Sequence, residues 1–184
     1  AENSYREAIE INPNFAEAHS NLGNILKDLG KLQEAELSTK KAIQLNPNLA
    51  NSHFNLGNIL KELDKLQEAE NSYRKAIEIK PNYEKAFSSL GNILKDLGKL
   101  EEAELSAKKA IQLNPNLAEA HSNLGNILKE HGRLQEAELS TRKAIQLNPN
   151  LSHFHYNLGK ILKELGRLQE AETSYRKAIE LEPD

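Results

Sequence analysis

Apolar side chains recur at Ala18, Leu22, Ile25, Leu26 and Leu29, spacings that put them along one side of an α-helix, while the residues between them are polar. A second helix is predicted from about Gln33 to Leu45, with small residues at Ala35 and Ala42. Its acids come early (Glu34, Glu36) and its bases late (Lys40, Lys41), which suits the helix dipole. It has to end at Asn46, because the residue before Pro47 is driven out of the helical region. We call the two helices A and B.

This pair returns along the whole chain. Glycine stands in the middle of helix A at Gly23, Gly57, Gly91, Gly125 and Gly159, each thirty-four positions beyond the last, and proline keeps the same beat at Pro13, Pro47, Pro81, Pro115, Pro149 and Pro183. So strict a period makes the chain an all-α array of stacked hairpins, in which surfaces rather than a deep pocket are available for function. The expected divisions are a leading helix B in 1–13, repeats at 14–47, 48–81, 82–115 and 116–149, and a fifth at 150–184 without a capping helix. Because the chain opens in mid-repeat, it is expected to be part of a longer protein. Asn14 is the expected N-cap of the first helix A, with Glu17 completing a capping box that Asn116 and Glu119 repeat, and Asn48, Asn82 and Asn150 supply the cap alone. Gly30, Gly98, Gly132 and Gly166 are expected to close helix A in the left-handed conformation, with Asp64 doing so once.

On a helical wheel His19, Leu22, Ile25, Leu26, Leu29 and Ala18 form the stripe turned to the core. The opposite side is polar, and stacking turns it into rows. Asn21, Asn55, Ser89, Asn123 and Asn157 make the first row; Asn24, Asn58, Asn92, Asn126 and Lys160 the second; Lys27, Lys61, Lys95, Lys129 and Lys163 the third. Carboxamides both donate and accept, so rows of them suit the backbone of an extended peptide, and the lysines add attraction for acidic groups that Asp28, Glu62, Asp96, Glu130 and Glu164 offset. Phe54 and Tyr156 stand where other repeats have Ser20, Ser88 and Ser122, and are expected either to anchor apolar ligand side chains or to pack on a neighbouring helix. His19, His53, His121 and His155, one per repeat, are expected to serve packing rather than metal binding. Leu37, Leu105 and Leu139 fall on the outer side of helix B, and the acid-base pairs there, such as Glu36 with Lys40, are expected to be a solvated face.

Composition narrows the classes of function. A net charge of -3 with dispersed Lys and Arg argues against nucleic acid. No apolar run could span a membrane, and the absence of cysteine suits a cytoplasmic setting. No phosphate loop, zinc motif or nucleophile elbow is present, so the expectation is a protein without catalysis, metal or cofactor.

With His19, Leu22-Gly23, Ala35, Ala42 and Pro47 in place in register through the chain, the sequence resembles the tetratricopeptide repeat family, although His19, His53, His121 and His155 occupy a place where that family has a large aromatic. The His-Ser-Asn-Leu wording is also locally similar to the repeats of O-linked N-acetylglucosamine transferases. The resemblance implies a right-handed superhelix with helix A lining an inner groove and helix B outside. The function expected is therefore a scaffold that binds a protein or extended peptide in that groove. Alternatives are a substrate-presenting arm of a larger enzyme and a self-assembling array, the last because apolar ends would favour end-to-end self-association.

Overall fold

The computed structural model describes residues 1–183, which form eleven α-helices and no strand. In chain order they are α1 (Glu2–Ile11), α2 (Ala16–Asp28), α3 (Leu32–Leu45), α4 (Ala50–Glu62), α5 (Leu66–Ile79), α6 (Glu84–Asp96), α7 (Leu100–Leu113), α8 (Ala118–Glu130), α9 (Leu134–Leu147), α10 (Ser152–Glu164) and α11 (Leu168–Leu181). The even-numbered ones are helices A. Two compact units divide the chain, Ala1–Ala86 and the residues from Phe87 onward. In the first, α2 packs on α3 and α4 on α5, while α4 also leans on α3 and stands beside α2. The second repeats this arrangement with α8 on α9 and α10 on α11, joined through α9 and α10.

The turn from helix A to helix B follows the expectation. Gly30 has φ +73° and Asp64 φ +57°, and the two amides that follow the helix fold back, Gly30 N–H donating to Lys27 O and Lys31 N–H to Leu26 O at 2.9 Å each. That pair of bonds is a Schellman closure, which needs a residue able to adopt a positive φ.

The other turn does not. Asn14, Asn48, Asn116 and Asn150 cap nothing: the N-cap residues of α2, α4, α8 and α10 are Phe15, Leu49, Leu117 and Leu151, none of which makes a side-chain cap bond. The Glu17 and Glu119 boxes are therefore absent. The asparagine before Pro13, Pro47, Pro115 and Pro149 takes the structural part instead, Asn12 Oδ1 accepting from the Asn14 amide at 3.2 Å, as Asn46 does from Asn48 and Asn114 from Asn116 at 3.1 Å and Asn148 from Asn150 at 3.3 Å. An asparagine whose side chain receives the N–H two residues on forms an Asx turn around the proline and delays the helix by one residue. Among histidines, the ring Nε2 of His19, His53, His121 and His155 lies 2.8–3.0 Å from the carbonyl of the proline six residues earlier. A carbonyl only accepts, so each ring donates from Nε2 and pins the proline turn to helix A.

Between A and B of one hairpin the glycine is needed for close approach. A Cβ on Gly57 would lie 2.6 Å from the Tyr73 ring, which is wholly buried and donates its hydroxyl to Asn58 Oδ1 at 2.8 Å. Where Tyr73 stands, the first hairpin has Thr39 and the fourth Thr141, both buried with a hydroxyl that finds no partner among the described residues.

Joints between hairpins overturn the expected solvated face of helix B at Glu36, Glu104 and Glu138, while the Glu172–Arg176 pair is exposed as expected. The Glu36 carboxylate is only 12% exposed and binds Lys40 of its own helix and Lys65 at the head of the next helix B, at 2.5 and 2.8 Å. Glu104 likewise holds Lys108 and Arg133 at 2.7 and 2.8 Å, and Glu138 holds Arg142 at 2.8 Å and Arg167 at 2.6 Å. These acids tie consecutive hairpins together. Periodicity could not show this, because their second cation lies twenty-nine residues away rather than four.

Candidate functional site

Among the first-row residues, Asn21 is exposed on α2, but Asn55, Asn123 and Asn157 are half-buried. Asn55 Nδ2 reaches Ser20 Oγ at 3.5 Å, Asn123 reaches Ser88 Oγ at 3.0 Å and Ser88 O at 3.2 Å, and Asn157 reaches Ser122 Oγ at 3.3 Å. Each of these amides thus donates to the preceding helix A, which leaves less of this row for a ligand than the sequence suggests. Ser20, Ser88 and Ser122, placed by the wheel on an open polar surface, are buried. A signal for this was present. Each of the three asparagines follows a serine by thirty-five positions, and the row's one serine, Ser89, follows Phe54, which has no hydroxyl to offer.

The second row keeps more of its chemistry available. Asn24 on α2, Asn92 on α6 and Asn126 on α8 are half-buried, and their side chains make no hydrogen bond with the described residues. Asn58 on α4 gives its oxygen to Tyr73 and retains its two N–H donors. Lys160 takes this place on α10, with its ammonium 5.7 Å from the centre of the Tyr156 ring, close enough for a cation–π contact.

The lysine row is largely neutralised from within. Lys27 binds Asp28 at 2.8 Å and lies 3.7 Å from Glu62 of the next helix A, and Lys129 stands in the same relation to Glu130 and Glu164 at 2.9 and 3.7 Å. Lys95 pairs with Asp96 at 2.5 Å. The hydrogen bond that Lys27 donates to Asp28 raises the Lys27 pKa above its ordinary value, and the one from Lys129 lowers that of Glu130. Lys61 and Lys163 are the exposed members. A row so paired attracts acidic groups weakly.

Phe54 and Tyr156 part company. Phe54 is half-buried, with ring centres 5.8 Å from Tyr73 and 5.1 Å from Tyr83, in a cluster that includes Ala76 and Ala86. It is a packing residue, so the anchor reading is withdrawn for it. Tyr156 remains 51% exposed, with its ring 5.7 Å from that of Tyr175. The sequence reading missed the tyrosines that go with them: Phe54 and Tyr73 are nineteen apart, as are Tyr156 and Tyr175, and repeats with serine at the first place have threonine or alanine at the second. Leu37, Leu105 and Leu139 are exposed as expected, at 70%, 69% and 69%.

The family profile described as Tetratricopeptide repeat matches residues 16–49, 50–83, 118–151 and 154–184. The chain belongs to the tetratricopeptide repeat family. Two further profiles of tetratricopeptide (TPR) repeats match 1–30 with 91–132, and 72–104. No curated protein matches the chain, and nothing supports a specific likeness to the glycosyltransferase arrays. Among solved structures it is similar to YrrB, described as a TPR protein with an unusual peptide-binding site, at 27% identity and TM-score 0.72, covering 100% of this chain and 95% of that one. It is also similar to TTC0263, a thermophilic TPR protein of Thermus thermophilus, at 24% identity and TM-score 0.81 over 92% of each chain. The third is MamA, at 23% identity and TM-score 0.72, covering 88% of this TPR chain and 95% of MamA. The fold is thus that of an all-α TPR solenoid, a class that serves protein interaction. No described helix is long and apolar enough to cross a membrane.

Proposed function

We propose that this TPR protein binds an extended segment of a partner protein on the helix-A faces of its two units, without catalysing a reaction. The observation that carries the reading is the second row: Asn24, Asn92 and Asn126 hold carboxamides at the surface that the protein itself does not use. A carboxamide that donates and accepts matches one peptide unit of an extended chain, independent of that chain's side chains. YrrB, similar over 95% of its length, has a peptide-binding site, which supports the same use here. The paired lysines point to a ligand segment of low net charge. An absence of cysteine suits a cytoplasmic place of work.

A random-peptide display library selected on the whole chain tests this. Selected peptides are expected to lose about thirtyfold in affinity for Asn92→Ala/Asn126→Ala, the loss that follows from about 1 kcal/mol for one hydrogen bond at each of the two positions. Unchanged affinity in that double variant would remove the second row from the site.

A further inference from the structure

Leu105 of α7 and Leu139 of α9 hold the same place one period apart, and both are 69% exposed on the outer side of helix B. A single exposed leucine is ordinary, but these two are neighbours. Glu104 of α7 binds Arg133 at the head of α9, so the two helices B run side by side and the leucines stand level with each other. Both helices pack on α8, and α9 also on α10, which leaves the leucines on the face turned away from that packing. Leu37 of α3 is as exposed, yet it has no leucine beside it, because its place is held by Asn3 in α1 and Asn71 in α5.

Each leucine is the midpoint of a charge pattern that reverses across it. On α7, Glu101 and Glu102 come four and three residues before Leu105, and Lys108 and Lys109 come three and four after it. On α9, Gln135 and Glu136 precede Leu139 at the same distances, and Arg142 and Lys143 follow it. Residues three or four apart share a helix face, and Glu102, Lys108, Glu136 and Arg142 are all exposed. A second copy laid on this face with its helices parallel would set Glu102 against Glu136 and Lys108 against Arg142, like on like. Turned end over end, it sets leucine on leucine, Glu102 against Lys108 and Glu136 against Arg142. We infer that two copies of this chain dock back to back through α7 and α9, related by a two-fold axis along the line that joins Leu105 to Leu139. The same patch serves on both copies, so the contact is isologous and closes at a dimer. Two helices a side make a small interface, below about 1,200 Å² in total, and the dimer is accordingly weak.

Sedimentation equilibrium of the whole chain from about 1 μM to about 1 mM is the test, a span that brackets the affinity of small interfaces. Average mass is expected to rise with concentration towards that of a dimer and no further. Leu105→Asp/Leu139→Asp is expected to associate about tenfold more weakly or worse, since leucines on both copies lose their cover. Leu37→Asp is expected to associate as the unaltered chain does. Glu136→Lys and Arg142→Glu each set like charges together on both sides of the axis, so each alone is expected to associate about threefold more weakly or worse. Mixed, the two variants meet opposite charges and are expected to recover. A chain that stays monomeric, a mass that climbs past the dimer, a double leucine variant that associates normally, loss of association on Leu37→Asp, or reversed variants that do not prefer each other to themselves overturns the inference. The mixing experiment decides the matter if the double leucine variant folds poorly.

Discussion

Phe54 and Tyr156 occupy equivalent places in their repeats, yet one is a structural residue and the other a surface one. The difference lies in their neighbours: Phe54 has Tyr83 across from it at 5.1 Å as well as Tyr73, whereas Tyr156 has Tyr175 on one side and stays half open. Removing each ring separates the two roles. Phe54→Ala is expected to cost about 2 kcal/mol in urea unfolding, less than the usual 3–5 for a fully buried phenylalanine because part of the ring is already in water, while Tyr156→Ala is expected to cost well under 1 kcal/mol. Near-equal losses would mean that the Tyr83 contact carries no weight. At this scale the sequence was only partly legible. A helical wheel sorts residues by angle around one axis, so it assigned Ser20, Ser88 and Ser122 to a polar surface without knowing that the next helix A lies against them. The bonds from Asn55, Asn123 and Asn157 to those serines were hidden for the same reason, and only the thirty-five-residue pairing of serine with asparagine could have revealed them.

Helices themselves were legible, because their signals are local. The B helix expected over 33–45 runs from Leu32 to Leu45, and Gly30 and Asp64 close helix A as left-handed residues. Starts of helix A were not, since Asn12 and Asn14 compete for one turn and the proline between them decides in favour of Asn12. Joints between elements were hidden altogether: Glu104 looks like an ordinary surface acid four residues before Lys108, and its bond to Arg133 appears only when hairpins stack. The hydrogen bond from Lys108, joined by that from Arg133 and opposed by burial, brings the Glu104 pKa from 4.5 down to about 2. A carboxylate whose pKa is lower in the folded protein stabilises it fully above the unfolded value and ceases to do so as pH falls through the folded one. Glu104→Gln is therefore expected to be less stable than the unaltered chain at pH 7, with the gap closing between about pH 4.5 and pH 2. Urea unfolding of both proteins at several pH values measures it, and a gap that is independent of pH would exclude the joint as the source.

For the molecule as a whole, protection from exchange should follow burial rather than helix length. α1 has no buried residue, whereas α4 buries Ile59 and Leu60 and α8 buries Ile127 and Leu128. Amides of α1 in the monomer are accordingly expected to exchange first and those of α4 and α8 last, as read by native-state hydrogen exchange and mass spectrometry. Uniform protection along the chain would mean that the array opens only as one body. The acid that links one hairpin to the next has a further consequence. Glu36, Glu104 and Glu138 belong to one hairpin while Lys65, Arg133 and Arg167 belong to its successor, so each of these joints is written half on each side, an acid against a base. A gene encoding such a chain can gain or lose whole periods by unequal crossover and still specify a working junction at the splice, whereas a break out of phase would strand a carboxylate without its counterion.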